Sequence, residues 1–196
     1  MTATKGLEGI VAAESSISSI IDGVLTYRGY NIDDLAENAT FEEVAYWLWY
    51  GKLPNRTELA QLVDQLNEYA PISNEVIDQI KTYPKDANSM AALRTAVSSL
   101  ALYDAEAGDM SREANLRKAI RLQAQLPTVI AAFSRIREGK EPIAPKKSSS
   151  VAESFLYMLT GKDPEKVAIE ALDKALVLHA DHELNASTFA ARVTVA

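Results

Sequence analysis

From Tyr30 onward the sequence is punctuated at short intervals by helix starts and stops, and this pattern constrains the fold more than any other feature. Thr40 with Glu43 has capping-box spacing, in which each residue satisfies a backbone N–H near the other, and Gly51 supplies a left-handed residue to close a helix over Phe41–Tyr50. Asn55 with Glu58 opens the next helix. Its Leu59, Leu62, Val63 and Leu66 fall on one face, and Pro71 ends it. Ser73 predicts a cap for Val76, Ile77 and Ile80, with Pro84 as the stop. Ser89 precedes the stripe Met90, Leu93, Val97 and Leu100. Ser111 predicts a helix running to about Arg137, with Gly139 beyond it. Pro127 lies inside that helix, where it removes a donor and clashes with the preceding turn, so a kink is expected. Residues 139–149, with Pro142, Pro145, Lys146 and Lys147, predict a surface loop. Ser150 with Glu153 is a further capping box, closed by Gly161. Asp163 before Pro164 predicts the start of a helix carrying Val167, Ala171, Leu172, Ala175 and Leu178 towards His179. Only one stretch breaks the rule. Ser18–Ile21, Asp22-Gly23 and Val24–Tyr27 predict a β-hairpin, because Asp-Gly adopts the positive φ angles of a two-residue turn. The expected class is all-α with a small hairpin.

With 196 residues, 47% hydrophobic and 24% charged, the chain has material for one sizeable core or a large piece of a bigger one. The net charge of -7, with no long basic run, speaks against nucleic acid, whose binding rests on clustered Lys and Arg. The absence of cysteine excludes disulfides, thiol catalysis and Cys-ligated metals, and it is compatible with a cytoplasmic protein. The N-terminus lacks the apolar core of a signal peptide, and apolar stretches are broken well short of a membrane span. Residues 189–196 are apolar and helical in pattern with no stop signal, so a continuation beyond Ala196 is expected.

Both histidines fall in Leu178-His179-Ala180-Asp181-His182-Glu183-Leu184-Asn185. On a helix, residues three apart share a face, so His179 and His182 would converge if the segment were helical. A metal site needs a third and usually a fourth ligand, and Asp181 lies on a different face. A structural role places the imidazoles at a helix C-terminus, where the dipole favours them. General acid–base catalysis requires a pKa near neutrality beside a reacting group. Binding an anion or a carbonyl requires only an imidazole N–H aimed at an oxygen. The residues alone do not separate the last two. Tyr46, Trp47, Trp49 and Tyr50 have helical spacing, which predicts core and interface packing rather than ligand stacking. Arg28 beside Gly29 is a candidate for a phosphate contact or an ion pair.

The histidine segment, continued through Ala186-Ser187-Thr188-Phe189, resembles the segment with which bacterial-type citrate synthases bring a histidine to oxaloacetate. Other stretches extend the resemblance over most of the chain. Gly6-Leu7-Glu8-Gly9-Ile10 and Leu25-Thr26-Tyr27-Arg28-Gly29-Tyr30-Asn31-Ile32 resemble that family's N-terminal hairpin. Phe41-Glu42-Glu43-Val44 with Gly51-Lys52-Leu53-Pro54 is similar to the helix that follows and its exit. Met90-Ala91-Ala92-Leu93-Arg94-Thr95-Ala96-Val97-Ser98 and Phe155-Leu156-Tyr157-Met158-Leu159-Thr160-Gly161 match as well. The family usually has His-Pro before the Met-x-x-Leu stripe, where this chain has Asn88-Ser89. A Ser cap replaces Pro as the initiator, and the family histidine there is not catalytic.

The resemblance implies an all-α, multi-helical citrate synthase large domain with a small N-terminal β-hairpin. Residues 1–196 would form its N-terminal part, without the small domain and the C-terminal part. The implied reaction condenses acetyl-CoA with oxaloacetate and water to give citrate and CoA. It implies His182 as the oxaloacetate-binding residue, with His179 and Asn185 in support, and no catalytic residue within this chain. The family's enol-forming His lies in a Gly-Pro-x-His-Gly-Gly-Ala-Asn motif that is absent here, and its other catalytic groups lie beyond Ala196, so the chain alone is expected to be inactive. No metal or cofactor is expected, since acetyl-CoA is a co-substrate. The expected protein partner is a second copy, meeting it across a two-fold axis through residues 89–103 and 114–137, with a higher oligomer open. The first of these carries small residues at Ala91, Ala92, Ala96 and Ser98. The second is apolar around Leu122, Leu126, Val129, Ile130 and Phe133. The alternatives are 2-methylcitrate synthase, using propionyl-CoA, and a non-catalytic helical self-association protein. Nucleic-acid and membrane partners are not expected.

Overall fold

The computed structural model describes residues 14–195. It begins with three short strands, β1 (Ser18–Ile21), β2 (Val24–Tyr27) and β3 (Tyr30–Asn31), in an antiparallel sheet of order β1-β2-β3. The hairpin turn falls at Asp22-Gly23, with φ of 53° and 79°, and sets Ser18 opposite Tyr27. The third strand was not expected. Arg28-Gly29, with φ of 47° and 90°, makes a second tight turn that pairs Tyr27 with Tyr30 and Thr26 with Asn31. Gly6-Leu7-Glu8-Gly9-Ile10 lies outside the described residues.

Helices follow: α1 (Ile32–Asn38), α2 (Phe41–Tyr50), α3 (Arg56–Tyr69), α4 (Asn74–Lys81), α5 (Ser89–Leu100), α6 (Arg112–Arg137), α7 (Val151–Thr160), α8 (Lys166–Leu178) and α9 (Ala186–Val195), with a 3₁₀ turn at Ala101–Tyr103 after α5. Both reciprocal capping boxes form at the starts of α2 and α3, and Gly51 and Gly161 close α2 and α7 at φ of 72° and 75°. Pro127 lies inside α6, which continues past it as one helix.

Other starts differ from expectation for identifiable reasons. Asn88, not Ser89, caps α5: its Oδ1 accepts the N–H groups of Met90 and Ala91 at 3.0 and 3.1 Å. At α7 the Ser150 Oγ accepts the Glu153 N–H at 3.1 Å, but the return bond is missing, because the Glu153 carboxylate takes Lys146 Nζ at 2.8 Å. The same Lys146 Nζ holds Asp163 at 2.8 Å, so Asp163 does not cap, and α8 begins at Lys166 rather than at Pro164.

Three apolar clusters hold these elements together. One joins α4, α5 and α6 through Val76, Ile80, Ala96, Leu100, Val129 and Phe133. A second joins α2, α3 and α6 through Tyr46, Leu62, Leu66, Ile120 and Ala124. The third joins β2, α1, α2 and α8 through Tyr27, Leu35, Phe41, Val44 and Val177, with Ala180 packed at its edge. Each fully buried aliphatic side chain in them stabilises the fold by about 1.5–3 kcal/mol relative to exposure. The third cluster positions the histidine segment. The aromatic run of α2 is indeed packing material: Tyr46 stacks on Tyr50 at 4.2 Å, and Trp47 meets Tyr30 edge-on at 5.3 Å.

Candidate functional site

The histidine segment is not helical between α8 and α9. Helix α8 stops at Leu178, so His179 is its C-cap residue and His182 lies in the turn beyond it. The two rings therefore do not share a helix face. His179 Nδ1 lies 2.7 Å from the Ala175 carbonyl, an acceptor only, so Nδ1 carries a proton. This ties His179 back to its own helix, where the C-terminal dipole favours it. His182 is exposed. Asn185 starts α9: its Oδ1 accepts the Thr188 N–H at 2.8 Å, and its carbonyl accepts the Phe189 N–H at 2.9 Å.

The turn is fastened to the N-terminal sheet. Tyr27 is fully buried, and its hydroxyl lies 3.1 Å from the Asp181 carbonyl, 3.2 Å from that of Val177 and 3.4 Å from that of Leu178. The same oxygen accepts the Asp181 N–H at 3.3 Å. Burial pushes the Tyr27 phenol above its ordinary pKa, so the hydroxyl keeps the proton it donates. Ser18 Oγ donates to Asp181 Oδ2, which also accepts the Glu183 N–H at 3.0 Å. Glu183 itself sits in the left-handed region, at φ 55°.

Helix α2 holds the sheet in turn. Trp47 Nε1 donates to the Tyr27 carbonyl at 3.0 Å. Arg28 donates to the Leu48 carbonyl at 2.8 and 3.2 Å, so its guanidinium is engaged by backbone rather than by an ion pair. None of these contacts is signalled locally, since Tyr27 and Asp181 are 154 positions apart. Only the inward alternation of β2 marks Tyr27 as a buried position. Among the described residues no group of three or more His, Cys, Asp or Glu is placed to hold a metal ion, and no helix is long and apolar enough to cross a membrane.

Both imidazoles are exposed, and that of His182 stands on a backbone anchored on both sides while that of His179 is tied to its own helix, so His182 suits recognition of an oxygen on a small anionic or carbonyl ligand. Comparison with known proteins gives this arrangement a family. The family described as "Citrate synthase, C-terminal domain" matches residues 6–196. Citrate synthase 2 of Bacillus subtilis (strain 168) is 58% identical over 197 residues, covering 100% of this chain and 53% of that protein. 2-Methylcitrate synthase 2 of Corynebacterium glutamicum is 41% identical, covering 96% of this chain and 51% of that protein. The crystal structure of citrate synthase from Pyrobaculum aerophilum superposes with a TM-score of 0.90 at 36% identity, covering 97% of this chain and 50% of that one. The chain spans about half the length of the curated relatives it matches. On fold, sequence and extent of match, this chain belongs to the citrate synthase family.

Proposed function

We propose that this chain is the N-terminal part of the large helical domain of a citrate synthase, an enzyme that condenses acetyl-CoA with oxaloacetate and water to form citrate and CoA. The observation that carries the reading is His182, exposed in an anchored turn at the place where the family's segment brings a histidine to oxaloacetate. An imidazole N–H there donates to an oxaloacetate oxygen and binds the substrate. His179 and Asn185 support the turn, one at each end. The proton-transfer groups that form the enol of acetyl-CoA lie on the remainder of the enzyme, so this part contributes one wall of the site. It works without a cofactor or metal, and in the cytoplasm.

The pair α5 and α6 supplies a dimer surface. Met90, Leu102 and Met110 on and around it are 70%, 79% and 68% exposed, apolar side chains that a second copy would cover. Two-fold symmetry lets one such patch meet its own copy.

A thiol-release assay on the full-length enzyme tests the activity. Acetyl-CoA with oxaloacetate is expected to liberate CoA faster than propionyl-CoA does. The likeness to a 2-methylcitrate synthase keeps the other acyl donor as the second reading, and a clear preference for propionyl-CoA would establish it. In the same assay His182→Ala is expected to raise the oxaloacetate KM by about tenfold or more, the loss of one hydrogen bond to a charged ligand. An unchanged KM and turnover would refute the assignment of His182.

A further inference from the structure

The sheet at the start of the chain joins the helices through the third apolar cluster, and the hydroxyl of Tyr27, which is buried there, is spent on the histidine turn. Tyr27 meets α8 and the turn with one oxygen, which serves both main-chain groups of Asp181, the residue before His182. Its oxygen also lies within reach of the Val177 and Leu178 carbonyls at the C-terminal end of α8, the first of which also accepts the Ala180 N–H at 3.2 Å. The Asp181 side chain then receives Ser18 from one side and the N–H of Glu183, the residue after His182, from the other. His182 is thus held between two fixed neighbours while its own ring is free to meet a ligand. Tyr27 cannot drift to accommodate another arrangement, because Trp47 and Arg28 pin its strand to α2.

We infer that Tyr27 is a positioning residue for oxaloacetate, a latch that sets the backbone of the His182 turn before substrate arrives. The inference rests on the reading of His182 as the oxaloacetate contact. A turn ordered in the free enzyme meets its entropy cost at folding, so less is lost on binding and affinity rises. Ser18 is the secondary member of the latch, acting on the Asp181 side chain alone.

The test is made on the full-length enzyme with Tyr27→Phe, which keeps the ring in its apolar cluster and removes only the hydroxyl. The Kd of oxaloacetate, measured by calorimetric titration, and its KM are expected to rise about tenfold. The KM of acetyl-CoA at saturating oxaloacetate stays at its wild-type value. Hydrogen exchange at the Asp181 amide of the free enzyme accelerates. Ser18→Ala gives a smaller rise in the same direction, and it is read in place of Tyr27→Phe if that variant does not fold. A side chain with only a structural role would lower Tm and leave the folded enzyme binding oxaloacetate with wild-type Kd.

His182→Ala is measured alongside. Weaker oxaloacetate binding in both variants supports the latch. Weaker binding in His182→Ala alone overturns the latch and leaves the reading of His182 intact. Wild-type binding in His182→Ala overturns the reading of His182, and the latch with it, whatever Tyr27→Phe does.

Discussion

Glu42 is 4% exposed, and its Oε1 accepts the Val151 N–H at 2.8 Å, so a carboxylate on α2 caps the first turn of α7. Asp173 on α8 does the same for α2, accepting the Phe41 N–H at 3.1 Å. Burial raises the pKa of Glu42. The Val151 N–H works against that shift, and the negative charge of Asp173 adds to it. Asp173 is raised as well, again chiefly by burial. The sign of the linkage follows. A carboxyl whose folded pKa lies above its unfolded value binds more protons in the folded state. Its contribution is fully present below the ordinary carboxylate pKa and is lost as the pH rises through the folded value. Ionising Glu42 therefore works against the fold, while its oxygen works for it. Glu42→Gln keeps the acceptor and removes the charge. Its Tm in the full-length enzyme is expected above wild type at pH 7, with the difference closing as the pH falls towards the ordinary glutamate value. Glu42→Ala strands the Val151 N–H and is expected to lose about 1–3 kcal/mol in chemical denaturation at pH 7.

At the scale of elements, the link between α5 and α6 is an electrostatic splice. Arg121 on α6 reaches Asp104 at 2.9 Å and Glu106 at 2.7 Å, and Arg117 binds Glu106 as well. The Arg117 guanidinium, then that of Arg121, brings the pKa of Glu106 down to about 2. A depressed carboxyl contributes stability above its unfolded pKa and loses it as the pH falls through the folded value, so this splice holds until strongly acid pH. Arg121→Met is expected to speed hydrogen exchange across residues 104–111 while the amides of α3 and α7 keep their protection. Uniform loss of protection in all helices would contradict a local role.

The same scale shows what a sequence reveals of its elements. The caps of α2 and α3 were legible because each is closed by two residues three apart, and at α3 Lys52 takes the Glu58 oxygen that the box leaves free. The start of α8 was not, since Lys146 claims the Asp163 carboxylate from across a loop. The return bond at α7 was lost to that same lysine. Asn88 displaced Ser89 as the cap of α5 because an Asn one residue earlier can satisfy two N–H groups at once. Where a distant partner takes the capping carboxylate itself, as Lys146 takes that of Asp163, local spacing no longer decides the boundary.

Across the whole molecule, the candidate site was half legible. Its residues stood out, because both histidines fall in one segment with a family resemblance. Its shape did not: residues 179–185 look helical in sequence, yet α8 stops at Leu178, and the Tyr27 hydroxyl, from the other end of the chain, sits 3.1 Å from the Asp181 carbonyl with those of Val177 and Leu178 in reach. The third apolar cluster explains why these ends meet, since Val177 of α8 packs with Tyr27, Phe41 and Val44 and carries the turn to the sheet. The sheet and the turn are thus one construction, joined through the third cluster. A crystal structure of the full-length enzyme with oxaloacetate bound decides whether that construction serves this substrate. An imidazole nitrogen of His182 is expected within about 3 Å of an oxaloacetate oxygen, with the Tyr27 hydroxyl still on Asp181. Oxaloacetate bound elsewhere, with His182 left facing solvent, would contradict the account.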